Sequence, residues 1–335
     1  MKPKIAIIGA GGRTGTMFSF ELQKAAEVIG VGREKEIKNI KEGRFFVERN
    51  SQTSQFFEGK VLSDFEFQAE KFSADIIFLT TKNPVSLPIE FYYQGFEEKI
   101  PTLLISQNGI AAIEEAQKKI EEIFNQGSEK VRIVRIILFN SIDREEKKGK
   151  IYIKYSLPLR AALAKVSGPG GVEDILKIFK DAGFETAEFP EKEAKNLEFS
   201  KLFLNLIGMR AAIEGMTVFE GLSNKEIFKE EIQALKEYKK VVRAAQGKFL
   251  NFPKYPIKNL AFFVEWLPLI FWLPLRNIFA KIISQGRNGK EKDLDEIEYY
   301  NGAVVELGKK FKIPTPINEK ILNKAREKLA LGHNH

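Results

Sequence analysis

A glycine-rich run, Gly9-Ala-Gly-Gly-Arg-Thr-Gly15, follows the apolar stretch Ile5–Ile8 and opens a helical pattern. Glycines between a strand and a helix permit a tight turn. They also let the backbone approach a pyrophosphate, which rests on the amides of the helix N-terminus. The strand before and the helix after give the glycine spacing its meaning. Gly9, Ala10, Gly11, Gly12, Arg13 and Thr14 are therefore candidate dinucleotide-binding residues; Thr14 occupies the third-glycine position and a glycine is displaced to 15. The second apolar run ends in Val31-Gly-Arg33, with Lys35 close behind. A carboxylate there selects a ribose 2′-hydroxyl, whereas an arginine accommodates a 2′-phosphate. Glu34 competes with Arg33, but adjacent side chains on an extended chain face opposite ways, and Arg33 points to NADPH. Two further apolar runs lead into Lys82 and into Ser106-Gln-Asn-Gly109. Both positions lie at the strand ends where open α/β sheets bind ligands. Lys82 is expected to meet cofactor or substrate oxygens, and Asn108, a candidate for both cofactor and substrate binding, to donate to a carbonyl.

Composition limits the remaining chemistry. The 335 residues include no cysteine and two histidines, His333 and His335, at the end of the chain. Disulfides, thiolate nucleophiles and Cys-ligated metals are excluded, and histidines confined to that position nearly exclude a His-based triad or zinc site. Acid–base work falls to Lys, Asp, Glu or Tyr. The net charge of +8 suits anionic small molecules, and lysines interspersed with glutamates, as in Lys225–Lys240, read as solvated helix faces rather than a nucleic-acid stripe. Since 44% of the residues are hydrophobic, the chain can bury a core. MKPKIAIIG enters an apolar strand without the long apolar region of a signal peptide, so a cytoplasmic location is expected. Residues 261–283 are greasy, yet Glu265, Pro268, Pro274, Arg276 and Lys281 interrupt them. No integral membrane span is expected there. A buried or dimer-facing pair of short helices is; an active-site lid and a membrane-surface contact are the alternatives.

These residues need elements to hold them. Ile5–Ile8, Val28–Val31, Ile76–Leu79 and Leu103–Ile105 are near-continuous apolar runs, the pattern of strands covered on both faces. Phe18–Ala26 and Ile110–Phe124 read as helices between them, which implies right-handed crossovers and a parallel sheet. Val131–Ile136 and Ile151–Tyr155 read as a strand pair extending that sheet, separated by a charged turn at Asp143–Lys150. After the Gly168–Gly171 turn come a helix, Val172–Ala182, and a strand, Phe184–Phe189. Beyond that the pattern is helical, over 194–218, 225–248, 261–283 and 292–311. The expected fold is α/β, an N-terminal Rossmann-type doubly wound sheet followed by an all-α C-terminal domain. Its boundary falls near Pro190: residues 1–190 for the dinucleotide, 191–332 for substrate and dimerisation.

Several further motifs occur in order: Thr-Lys82, Gln107-Asn108-Gly109, Ser200-Lys201-Leu-Phe-Leu-Asn205, Asp295-Glu296-Ile-Glu-Tyr-Tyr-Asn301-Gly302 and Ile313-Pro-Thr-Pro-Ile-Asn318. With the glycine loop they make the chain resemble the ketopantoate reductase (2-dehydropantoate 2-reductase) family over nearly its whole length. The resemblance implies a Rossmann domain, a helical C-terminal domain and an active site in the cleft between them. It implies NADPH-dependent reduction of a small 2-oxo acid, by default 2-dehydropantoate to pantoate in pantothenate biosynthesis, in a homodimer. By the same resemblance Lys201 is the general acid that protonates the ketone oxygen. Glu296, its catalytic partner, Asn205 and Ser284 match substrate-binding positions. Asn108 matches a residue near the reacting centre, and Lys82 a cofactor-side lysine.

The residues support this independently at one point. Lys201 and Asn205 lie four apart on one helix face, within the apolar segment Phe199–Met209. Desolvation there would ease loss of the ammonium proton, as a proton donor requires; a lysine snorkelling to Glu198 is the plainer alternative. Glu296 falls on a turn-spaced row with Tyr300, Ala303 and Leu307. Met209 stands where the family has a second asparagine, and residues 286–290 look divergent. These departures favour a bulkier or more apolar substrate, with Phe262–Trp272 as a possible wall. Two alternatives stand beside the default: a reductase of another carbonyl or imine, and a non-catalytic NADPH-binding protein whose aromatic segment docks on a membrane or partner.

Overall fold

The structure, a computed structural model, describes residues 2–56, 59–97, 99–125, 128–285 and 291–332. Two compact units are present: residues 1–107 with 111–194, and residues 195–335 with the tripeptide 108–110.

The first unit contains twelve strands among its described residues: β1 (Lys4–Ile8), β2 (Glu27–Gly32), β3 (Phe45–Arg49), β4 (Gln52–Gln55), β5 (Lys60–Ser63), β6 (Ile76–Leu79), β7 (Thr102–Ile105), β8 (Ile133–Leu138), β9 (Asp143–Lys147), β10 (Lys150–Tyr155), β11 (Arg160–Ser167) and β12 (Glu185–Phe189). Eight form a sheet in the order β12-β11-β8-β7-β6-β1-β2-β5. From β8 to β5 neighbouring strands run parallel, as their two-sided apolar runs require. β11 lies antiparallel to β8, and β12 pairs parallel with β11. The helices are α1 (Arg13–Leu22), α2 (Glu34–Lys41), α3 (Asp64–Glu70), α4 (Ser86–Tyr93), α5 (Ala112–Ile123) and α6 (Glu173–Asp181). Phe18 of α1 anchors the core, with ring centroids 4.6 Å from Phe78 and 5.8 Å from Phe184.

Residues 131–159 depart from the expected strand pair. β8 joins the large sheet, whereas β10 joins a separate four-stranded sheet, β4-β3-β10-β9. Asp143–Lys147, expected as part of a turn, is the edge strand β9; the turn contracts to Lys148 and Gly149, both with positive φ. An edge strand tolerates this run of charge because its side chains reach water, and Glu145 of β9 pairs with Lys154 of β10 at 2.7 Å.

The second unit is helical: α7 (Ala194–Leu206), α8 (Met209–Ile213), α9 (Val218–Ser223), α10 (Lys225–Ala244), α11 (Ile257–Trp266), α12 (Leu269–Ser284), α13 (Asn301–Lys310) and α14 (Pro316–Gly332). Gly208, at φ +91°, splits the helix expected over 194–218. Pro268 separates α11 from α12. The helix expected over 292–311 begins at Asn301 instead; Glu296 precedes a 3₁₀ turn at Ile297–Tyr299 and lies outside α13. The Asp293 carboxylate accepts the Asp295 amide at 2.9 Å, a local turn that competes with helix there.

Candidate active site

In the first unit the chain leaves β1 through Gly9, whose φ of +91° favours glycine. The Gly9 and Ala10 amides donate to the Val31 carbonyl, at 2.8 and 2.9 Å, and Gly12 N–H to the Gly9 carbonyl at 2.8 Å. A Cβ on residue 15 would sit 2.1 Å from the Gly9 carbonyl oxygen and 2.6 Å from Thr80 Oγ1. The displaced glycine is thus the one that brings α1 close to β1 and β6, and Thr14 is free of that demand. Gly12 is the N-cap of α1, and no side chain caps the first turn. A loop of three glycines and one alanine leading into an uncapped helix N-terminus suits a dinucleotide pyrophosphate.

Arg33 follows β2 with its side chain 80% exposed and its guanidinium paired to Glu36. Glu34 and Lys35 are exposed as well. Glu36 has no counterpart in the sequence reading, yet its Cβ lies 2.6 Å from where a side chain on Gly11 would begin. Arg144 of β9 was also not anticipated; it donates to the Gly11 carbonyl at 3.2 Å. Both come to the loop through contacts that no local pattern encodes.

The neighbouring strand ends are tied together. Thr80 Oγ1 donates to the Ile8 carbonyl at 2.7 Å, and Ser106 Oγ to the Leu79 carbonyl at 3.0 Å. Arg135, fully buried on β8, donates to the carbonyls of Ile105 (2.9 Å) and Gln107. It fixes the end of β7, the strand that leads into Asn108. Lys82, in the loop after β6, is exposed.

In the second unit, Asn108, Asn205 and Glu296 form one chain of hydrogen bonds. Asn205 Nδ2 donates to Asn108 Oδ1 at 3.1 Å, and Asn108 Nδ2 donates to Glu296 Oε2, also at 3.1 Å. Tyr300 OH donates to the same carboxylate oxygen at 2.7 Å. Two donors on one oxygen orient the carboxylate and leave its other oxygen for a ligand. Lys201 is half-buried on α7, one turn before the buried Asn205. Glu198 ion-pairs with Lys195 at 3.4 Å.

The end of α7 is held from two sides. Lys292 donates to the carbonyls of Asn205 and Ile207, the latter at 3.1 Å, and its ammonium lies 5.7 Å from the centroid of the Tyr300 ring. Buried Glu231 of α10 accepts the amides of Gly208 (3.1 Å) and Arg210 (2.9 Å). Burial pushes the Glu231 carboxyl up to about 7, against the opposing pull of those amides and of Lys292. Sequence reasoning found neither residue.

Three expectations change here. Ser284 ends α12 half-exposed and donates to the Lys281 carbonyl at 3.3 Å; it does not join the asparagine–glutamate chain. Met209 is fully buried and fills core volume. Phe262, Trp266 and Phe271 face solvent rather than walling a cavity, while Trp272 turns into the core. Gly286–Lys290 and the two histidines lie outside the described residues. Among the described residues no group of three His, Cys, Asp or Glu side chains is placed to hold a metal.

Two family models match the chain: "Ketopantoate reductase PanE/ApbA" over residues 5–155 and "Ketopantoate reductase PanE/ApbA C terminal" over 288–329. A curated relative, the 2-dehydropantoate 2-reductase of Aquifex aeolicus, is 24% identical over 338 residues, covering 98% of this chain and 97% of the relative. The crystal structure of a PanE/ApbA family ketopantoate reductase from Ralstonia eutropha superposes with a TM-score of 0.73 at 16% identity, over 97% of this chain and 98% of that one. D-mandelate dehydrogenase, in its ternary structure with NADH and anilino(oxo)acetate, gives 0.71 at 19% identity, again over 97% and 98% of the chains. Both likenesses are of fold.

Proposed function

We propose, from the premise that this chain belongs to the ketopantoate reductase family of NAD(P)H-dependent oxidoreductases, that it reduces a small 2-oxo acid to the 2-hydroxy acid, with 2-dehydropantoate the default substrate and NADPH the reductant. The observation that carries this reading is the Asn205–Asn108–Glu296 chain, one helical turn from Lys201.

A nicotinamide held by the glycine loop supplies a hydride. The chain's own residues do the rest. Gly9–Thr14, the α1 amides, Arg144 and Lys82 hold the anionic dinucleotide, and Arg33 takes its 2′-phosphate. The Lys201 ammonium gives a proton to the ketone oxygen as negative charge develops there, and its charge attracts the substrate carboxylate. Asn108 and Asn205 donate to substrate oxygens, and Glu296 accepts from a substrate hydroxyl. The domains divide accordingly, residues 1–190 for the dinucleotide and 191–332 for the substrate. The enzyme works in the cytoplasm as a homodimer.

Two specific observations favour second readings. Glu36, against Gly11 and paired with Arg33, is placed to accept a ribose 2′-hydroxyl and so favours NADH. The likeness to D-mandelate dehydrogenase, in a structure that holds anilino(oxo)acetate, favours a bulkier 2-oxo acid. One experiment separates these: loss of reduced-nicotinamide absorbance across a panel of 2-oxo acids, run with NADPH and with NADH. We expect turnover of 2-dehydropantoate with NADPH, and a Lys201→Ala variant slowed by roughly 10²–10⁴-fold that still binds NADPH in a fluorescence titration. Retained turnover in that variant overturns the acid role. Dinucleotide binding without turnover on any acid overturns the enzyme reading.

A further inference from the structure

The positive charge of the chain is concentrated in one place. Residues 236–285 hold nine Lys and Arg against two carboxylates, Glu237 and Glu265, whereas the other 285 residues hold 44 against 43. Both carboxylates are already committed. Glu237 is buried and accepts the Ile317 and Asn318 amides at 2.9 and 3.0 Å, and Glu265 is ion-paired with Lys239 and Arg243. Lys240, Lys254, Lys258 and Lys281 are exposed and make no ion pair among the described residues.

The same stretch presents an apolar face. α11 exposes Phe262, Phe263 and Trp266, and α12 exposes Phe271, Ile278 and Ile282, each between 53% and 69% accessible. Taking roughly 200 Å² for each side chain, these six present about 700 Å², above the ~300–600 Å² typical of the largest patch on a monomer. The other face of α12 belongs to the protein: Trp272 and Phe279 pack on Phe228 of α10, with ring centroids 6.4 and 5.8 Å from it. Arg276, the charge within α12, is spent on the carbonyls of Ser223 (3.0 Å) and Leu273 (2.9 Å). Cations frame the exposed face. Lys258 stands one turn before Phe262, and Lys281 falls between Ile278 and Ile282 in the chain. Lys240 shares a face of α10 with Lys236 and Arg243, which reach the Leu267 carbonyl and Glu265 beside it.

No helix among the described residues is long and apolar enough to cross a membrane. A helix that lies in the headgroup region instead sets Trp and Phe on one face with Lys and Arg beside them, and clusters of roughly four to eight such cations bind anionic lipid. We infer that the α11–α12 face docks on an anionic lipid bilayer, with Trp266 and the neighbouring phenylalanines in the headgroup region and the four lysines against lipid phosphates. A bilayer supplies apolar chains and negative charge together. A second copy of this chain would set the same lysines against one another, since a two-fold contact joins like to like. The surface uses no catalytic residue, holds whether or not the chain reduces a 2-oxo acid, and leaves the homodimer to another face.

Co-sedimentation of the full chain with phosphatidylcholine–phosphatidylglycerol vesicles tests it, beside vesicles of phosphatidylcholine alone. We expect pelleting with the anionic vesicles, and a bound fraction that falls several-fold between about 0.1 and about 1 M salt, where the Debye length shrinks from ~10 to ~3 Å. Tryptophan fluorescence should shift to the blue on binding, a shift that Trp266→Phe removes because Trp272 is already buried. Phe271→Asp and Ile278→Asp, both at exposed positions, should each abolish pelleting while leaving the far-ultraviolet circular dichroism unchanged. Lys258→Glu combined with Lys281→Glu should weaken vesicle affinity roughly tenfold or more. A chain that stays in the supernatant, equal pelleting with neutral vesicles, or pelleting that both aspartate variants retain overturns the inference. So does a wild-type dimer that Phe271→Asp or Ile278→Asp splits in sedimentation velocity, which would assign the face to a second copy.

Discussion

Lys292 spends its charge on backbone. Its ammonium meets carbonyls at and just past the end of α7, where helix geometry leaves acceptors without intrahelical donors. One of those carbonyls belongs to Asn205, so the lysine acts on the candidate site through another residue. Lys292→Met should lower kcat/KM by roughly tenfold or more, since hydrogen bonds to a charged group are worth about 1.5–3 kcal/mol. The loss should fall mainly on KM if Asn205 holds substrate. Lys292→Arg should restore part of it, and steady-state kinetics of the two variants checks both points. Residues at this scale differ in how visible they are. The glycine run and the pair Lys201 and Asn205 are short-range patterns, and they stand out in the sequence. Lys292, Glu36, Arg144 and Glu231 reach their partners across contacts that folding alone creates, and each looks like an ordinary surface charge before the chain folds.

Elements follow the same division. Past their first residues the strands β1, β2, β6 and β7 are apolar and buried on both faces, and that burial writes itself into the sequence. β11 is different. Its Ala161, Ala162 and Ala164 carry little strand preference, and pairing with β8 and β12 makes the strand. β3 pairs with β10 about a hundred residues later, a separation that short windows do not reach. Gly15 belongs to this scale because it sets the distance between a helix and a sheet. In Gly15→Ala the new methyl meets the Gly9 carbonyl, and α1 must move. We expect a loss of about 1–3 kcal/mol in urea unfolding, the usual range for overpacking, with weaker dinucleotide binding in the same variant. Unchanged stability would mean that α1 has room to shift.

The stability of the molecule as a whole carries a pH signature from Glu231. Its folded carboxyl titrates at about 7, against an ordinary 4.5 when the chain unfolds. Between those values the folded state binds more protons than the unfolded state, so stability falls as pH rises through that window and levels off above it. Glu231→Gln keeps an oxygen for the Gly208 and Arg210 amides and removes the titration. Urea unfolding of the wild-type chain at about pH 5 and about pH 8 should therefore show a decline that the variant lacks. A second interior charge behaves differently. Arg135 is fully buried, so dissolved counterions do not screen its hydrogen bonds. Salt weakens the pull of exposed Arg33 and Lys82 on an anion within a Debye length. Arg135, donating to the Ile105 and Gln107 carbonyls inside the protein, is out of that reach, so the grip it has on the end of β7 outlasts salt that loosens surface pairs.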